Sequence, residues 1–115
     1  MEDRFFDNWS TQFRKGMLEF CILNAIRGRS VYGYDVVRTL RGIEGLVIGE
    51  GTIYPILSRL KREGFVNTTI KESSEGPPRK YYELTDKGTK MLERMNEYWQ
   101  AIKSGSDSII QDKKS

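Results

Sequence analysis

Between Gly64 and Thr85 the sequence carries two short stretches of strand-forming residues, FVNTTIKE (65–72) and RKYYELT (79–85), joined by SSEGPP. β-branched and aromatic residues crowd both stretches, and the Ser, Gly and Pro cluster between them makes a turn, so together they read as one hairpin with a polar, proline-stiffened tip. Every other periodic stretch is helical. A lone hairpin is marginal in water and holds when packed on helices. The chain is therefore restricted to a mainly α fold with a small β-hairpin, and 115 residues supply one core to hold it together.

Residues 8–27 read as a first helix, with Phe13, Met17, Phe20, Cys21, Leu23 and Ile26 at helical spacing and Gly28 ending it. Phe5, Trp9 and Phe13, at i, i+4 and i+8, extend its apolar stripe beyond what a small core needs. Ser30 is placed to cap a second helix in which Val36, Val37 and Leu40 face inward and Tyr34, Arg38 and Arg41 face outward. RGIEGLVIGEG has four glycines in eleven residues and reads as a turn. A third helix follows, then the hairpin, then a long helical pattern from Thr85 to about residue 110, with QDKKS as a frayed end. The order is helix, helix, turn, helix, hairpin, long helix, which is that of a winged helix-turn-helix. It assigns residues 1–84 to a winged helix-turn-helix domain with an N-terminal helix extension, 85–110 to a C-terminal helix, and 111–115 to a disordered tail.

Composition removes several function classes. The chain has no histidine and one cysteine, Cys21, so it offers no Cys/His metal cluster, no internal disulfide and no Ser-His or Cys-His nucleophile. We expect no enzyme activity, no cofactor and no metal. Apolar runs are too short to span a bilayer, and MEDRFFDNW lacks the basic and apolar regions of a signal peptide, so the expected location is cytoplasmic. Membrane attachment through the Phe5 to Phe13 stripe is opposed by Glu2, Asp3 and Asp7. Cys21 lies on the apolar face of the first helix and reads as inert core. A net charge of +3 and a pI near 9.0 permit nucleic-acid binding without establishing it.

The third helix, within GEGTIYPILSRLKREG (49–64), carries the functional signal. Ile53, Ile56, Leu57 and Leu60 cluster on one side and are buried, while Gly51, Thr52, Pro55, Ser58, Arg59 and Arg62 occupy the other, with Tyr54 at its edge. If Thr52 is the cap, Pro55 falls in the first turn; if the helix begins nearer Glu50, Pro55 leaves one carbonyl unpaired, that of Gly51, open to water. Small groups on an exposed face let the backbone approach a rigid surface, and the B-DNA major groove accepts a helix. Thr52 and Ser58 then suit phosphates or bases, Pro55 a thymine methyl, and Arg59 guanine or phosphate. The plainer reading makes Thr52 a cap, Pro55 a first-turn residue and Arg59 a solvated cation.

GTIYPILSRLKREGFV, PRKYYELTDKG and SVYGYDVV together resemble the PadR-like transcriptional regulators over residues 15–92. The resemblance implies a winged helix-turn-helix, usually a homodimer and usually a repressor of a nearby gene, here of the smaller subgroup with a single C-terminal dimerisation helix. Carried over by position, it places Thr52, Tyr54, Pro55, Ser58 and Arg59 on or beside the recognition face. Tyr34 would touch phosphate or pack under the wing. Arg79 and Lys80 would reach the flanking groove or be a solvated strand end. Of Tyr81 and Tyr82, which alternate along a strand, one belongs to the core.

Gly88, Leu92, Met95, Trp99, Ile102, Ser106 and Ile109 form a heptad seam that a chain this small cannot cover, so a second copy is the expected partner, with Leu92, Met95, Trp99 and Ile102 at the dimer contact. A two-fold dimer implies a palindromic operator in double-stranded DNA. The small subgroup binds flat aromatic compounds at the dimer interface, which implies a site near Trp99, Trp9 and Phe13 for a planar aromatic small molecule, or ordinary dimer packing at the same residues. The rival function is a winged-helix protein-protein interaction module that does not bind DNA.

Overall fold

The computed structural model describes residues 2–46 and 48–112, without the side chain of Glu50; residues 113–115 of the expected tail lie outside the described residues. Among the described residues, four helices, α1 (Glu2–Ala25), α2 (Gly33–Arg41), α3 (Glu50–Arg62) and α4 (Asp86–Gln111), and three strands, β1 (Val31–Tyr32), β2 (Val66–Lys71) and β3 (Arg79–Leu84), follow in the order α1, β1, α2, α3, β2, β3, α4. α1 starts at Glu2 rather than at residue 8. Glu2 and Asp3 sit at the positive end of its dipole, and the Trp9 and Phe13 rings, four residues apart, stack 5.5 Å between centroids.

The strand β1 corrects a second expectation. Val31 and Tyr32 pair with Tyr82 and Tyr81 on the outer edge of β3, giving a three-stranded antiparallel sheet of order β1-β3-β2. The residues after Ser30 are thus extended, and α2 begins at Gly33 behind Tyr32, with no side-chain cap bond. Gly33 fits a tight place: a Cβ would come within 3.1 Å of both the Tyr54 and Tyr82 rings, which would have to give by a few tenths of an ångström. The hairpin forms in the register Val66↔Leu84 to Lys71↔Arg79.

The core lies where α1, α2 and α3 meet the sheet. Ile26, Val36, Val37, Leu40, Ile53 and Leu57 are fully buried, as expected from their helical spacing; Ile22, which the sequence reading did not single out, is buried with them, and Tyr82 is the tyrosine of the β3 pair that joins them. The start of α4 belongs to the same core. Leu92 is 1% exposed, and Gly88 is buried so closely that a Cβ would stand 2.0 Å from the Phe65 carbonyl oxygen. Thr85 caps α4 by accepting from the Gly88 N–H at 2.9 Å and donates to the Gly64 carbonyl at 2.7 Å, tying the helix to the end of α3. Leu92 and Gly88 are therefore filled by the chain itself, and the uncovered part of the heptad seam begins further along. Asn96 donates to Asn24 of α1 at 3.1 Å, the polar contact that registers the two long helices.

The outer ends of α1 and α4 have less cover. Phe5, Phe6, Trp9 and Phe13 of α1, and Tyr98, Ile102, Ile109 and Ile110 of α4, are each at least half exposed. The radius of gyration is 16.9 Å, against about 13 Å for a compact domain of this length.

Candidate nucleic-acid interface and the outer groove

α3 begins at Glu50 behind Gly49, so Pro55 is the sixth helical residue and not a first-turn residue. The Gly51 carbonyl loses its N–H partner, and Gly51 itself is exposed, so water can take its place. A helix that only filled the core would gain from a better helix former at this solvent-facing site. Gly51, Thr52, Pro55, Ser58 and Arg62 are all exposed on this side, opposite buried Ile53, Leu57 and Leu60. Tyr54 departs from that face: it is half-buried, against the site of Gly33.

Arg59 stands at one edge of the face and leans toward α1. Its guanidinium donates to Glu19 of α1 and, at 3.5 Å, to Glu63, which caps the C-terminal end of α3. The Glu19 hydrogen bond is the first cause, with Glu63 adding to it, of a guanidinium pKa raised above its ordinary value. The residue is thus a cation at all working pH and already has two anionic partners.

α2 and the sheet extend the cationic surface. Arg38 is exposed and 3.6 Å from Asp35. Arg79 stacks 4.7 Å from the Tyr32 ring centre, and Lys71 sits 4.4 Å over Tyr81. The Tyr32 and Tyr81 rings are 5.8 Å apart, and Tyr34 lies 6.4 Å from Tyr32 while staying 39% exposed, so packing and exposure coexist there. Lys80 is exposed on β3. The sequence reading missed Lys71, although the register that sets it opposite Arg79 follows from the hairpin. Glu19 gave no local signal, because 40 residues separate it from Arg59.

Between α1 and α4 an open groove of about 640 Å³ is lined by Phe13, Met17, Phe20, Met95, Trp99 and Ile102, with Gly16, Met91, Arg94 and Tyr98 completing it. Phe20 meets Trp99 at 5.9 Å. Trp9 is not in this groove; it lines an adjoining cleft of about 290 Å³ with Phe13, Arg14, Cys21 and Ile43. Burial pushes the Cys21 thiol pKa up, which suits a packed thiol more than a reactive one. Among the described residues, no helix is long and apolar enough to cross a membrane, and no group of three His, Cys, Asp or Glu side chains could hold a metal ion.

This arrangement of a two-helix unit, a small sheet and an outer helix can be compared with known proteins. The model of the transcriptional regulator PadR-like family matches residues 22–94, from the buried half of α1 into α4. The chain belongs to the PadR-like family. A PadR-like transcriptional regulator from Bacillus cereus has a solved structure 39% identical to it, covering 89% of this chain and 99% of the other with a TM-score of 0.80. A PadR-like transcription factor from Bacteroides fragilis is 38% identical over 89% of this chain and 98% of its own, with a TM-score of 0.72. A PadR family transcriptional regulator from Eggerthella lenta is 27% identical, covers 96% of each chain and superposes with a TM-score of 0.79. PadR-like proteins are transcriptional regulators rather than enzymes, which gives the exposed faces of α2, α3 and the sheet a regulatory context.

Proposed function

We propose that this PadR-like protein is a homodimeric repressor that binds a palindromic operator in double-stranded DNA, near or upstream of its own gene, and is released by a planar aromatic ligand. The observation that carries the DNA reading is the outer face of α3. Gly51, Thr52, Pro55 and Ser58 are short and exposed there, with Arg62 beside them, a surface suited to close approach in a major groove. Arg38, Arg79 and Lys80 then supply phosphate contacts at the flanks, and Tyr34 supplies a hydroxyl.

The dimer reading is supported by the groove between α1 and α4, with exposed Ile102 in its lining, and by the exposed Ile109 and Ile110 beyond it. A second copy offers the same apolar surface and forms an isologous interface. Met95, Trp99 and Ile102 line the groove and take the contact; Leu92 supports them from beneath. Trp99 and Phe13 are well placed for an aromatic ligand, with Trp9 behind Phe13. Arg94 is the charged residue in the lining, so neutral or anionic planar compounds fit better than cationic ones.

The test is DNA binding by purified protein across a salt series. The proposal expects log K to fall linearly with log salt at about −0.9 per neutralised phosphate. Absence of DNA binding even at low salt, with a DNA-independent protein partner recovered, would favour the interaction-module reading instead.

A further inference from the structure

We propose that Glu19 is a positioning residue for Arg59 that competes with DNA phosphate for its guanidinium, so that α1 tunes how readily the reading helix grips DNA. The inference rests on the DNA-binding reading of α3.

The geometry is specific to this pair. Arg59 follows Thr52 by seven residues and so shares its edge of the exposed α3 face. The guanidinium turns from that face toward α1, where Glu19 accepts from Nη2, while Glu63 accepts from Nη1 at 3.5 Å. One cation thus meets two carboxylates. A guanidinium presents the same planar donors to a carboxylate as to a phosphate, so the two glutamates occupy the place of phosphate oxygens. None of the three side chains is buried: the exposures are 39% for Arg59, 34% for Glu19 and 49% for Glu63. The pair is therefore weak enough for DNA to displace.

The carboxylate of Glu19 also stays beside the helix after Arg59 leaves it, and it disfavours any DNA contact that does not give the arginine a better partner. Its place on α1 adds a connection. Gly16, Met17 and Phe20 of the same two turns line the outer groove, so one helix segment faces the groove on one side and Arg59 on another.

The experiment is a double-mutant cycle of Glu19→Gln, Arg59→Gln and the double variant, with binding measured to random-sequence duplex DNA at low salt. Thermal midpoints of all four proteins serve as the folding control. Glu19→Gln is expected to tighten binding about two- to fivefold when Arg59 is present, the range in which exposed ion pairs fall, and to tighten it measurably less when residue 59 is glutamine. Equal tightening in both backgrounds means simple loss of a negative charge and overturns the proposal, as does no change or a weakening in the Arg59 background. Failure of the unsubstituted protein to bind DNA overturns the DNA reading together with it, whereas loss of the coupling alone leaves that reading standing.

Discussion

Two glycines of α4 show how differently one residue type can be constrained on the same helix. At Gly88 an added methyl meets the Phe65 carbonyl at 2.0 Å, whereas at Gly105 it meets nothing within 4 Å. Gly88→Ala should therefore destabilise the fold by about 1–3 kcal/mol through overpacking. Gly105→Ala should stabilise it by about 0.5–1 kcal/mol through helix propensity. Urea unfolding midpoints at unchanged m-value check both; equal effects at the two sites would mean that α4 does not lie on Phe65. A pH prediction comes from Cys21 and Tyr82, whose pKa values are raised by burial above 9.0 and 10.0, Tyr54 adding to the shift of Tyr82. Both groups are neutral in the fold and ionise more easily in the unfolded chain, so their contribution is complete below pH 9 and declines as pH rises through 9 and then 10. Thermal unfolding between pH 7 and 11 measures this, and Cys21→Ser should remove the earlier part of the decline.

Helix α3 was legible in the sequence because its two faces differ so sharply in residue type, and the hairpin because β-branched residues, turn and register agree. Strand β1 was not: two residues carry no periodicity, and Val31 and Tyr32 become a strand only because β3 leaves an edge open to them. The Phe5, Trp9 and Phe13 spacing already pointed to the early part of α1, but its start at Glu2 was not legible, because aromatic stacking rather than core burial supports the helix there. In α4 the seven-residue spacing is uniform, yet its first two positions face the chain's own core, a division set by the tertiary fold that no local pattern encodes. Among the residues left exposed, Ile102 is 51% accessible at the groove. Ile102→Lys should weaken a dimer roughly a hundredfold, because a symmetric interface loses two isoleucines at about 1.5 kcal/mol or more each. Analytical sedimentation reads this directly, and an unchanged association constant would place the interface elsewhere.

At the scale of the whole molecule, the proposed function divides the labour, with DNA to be met by α2, α3 and the sheet and the second copy by α1 and α4. A dimer built this way presents two reading helices and matches half-sites about one helical turn apart. The groove shares α1 with Glu19, so on the proposed reading ligand, partner and DNA would all bear on one helix. The measurement that bears most directly on this account is a protection footprint on the DNA upstream of the protein's own gene, made at near-physiological salt with excess competitor, for the unsubstituted chain and for Ser58→Glu. The account predicts a protected inverted repeat for the first and none for the second, since a carboxylate on the α3 face repels the phosphates it must approach. Protection that survives Ser58→Glu would contradict the assignment of that face.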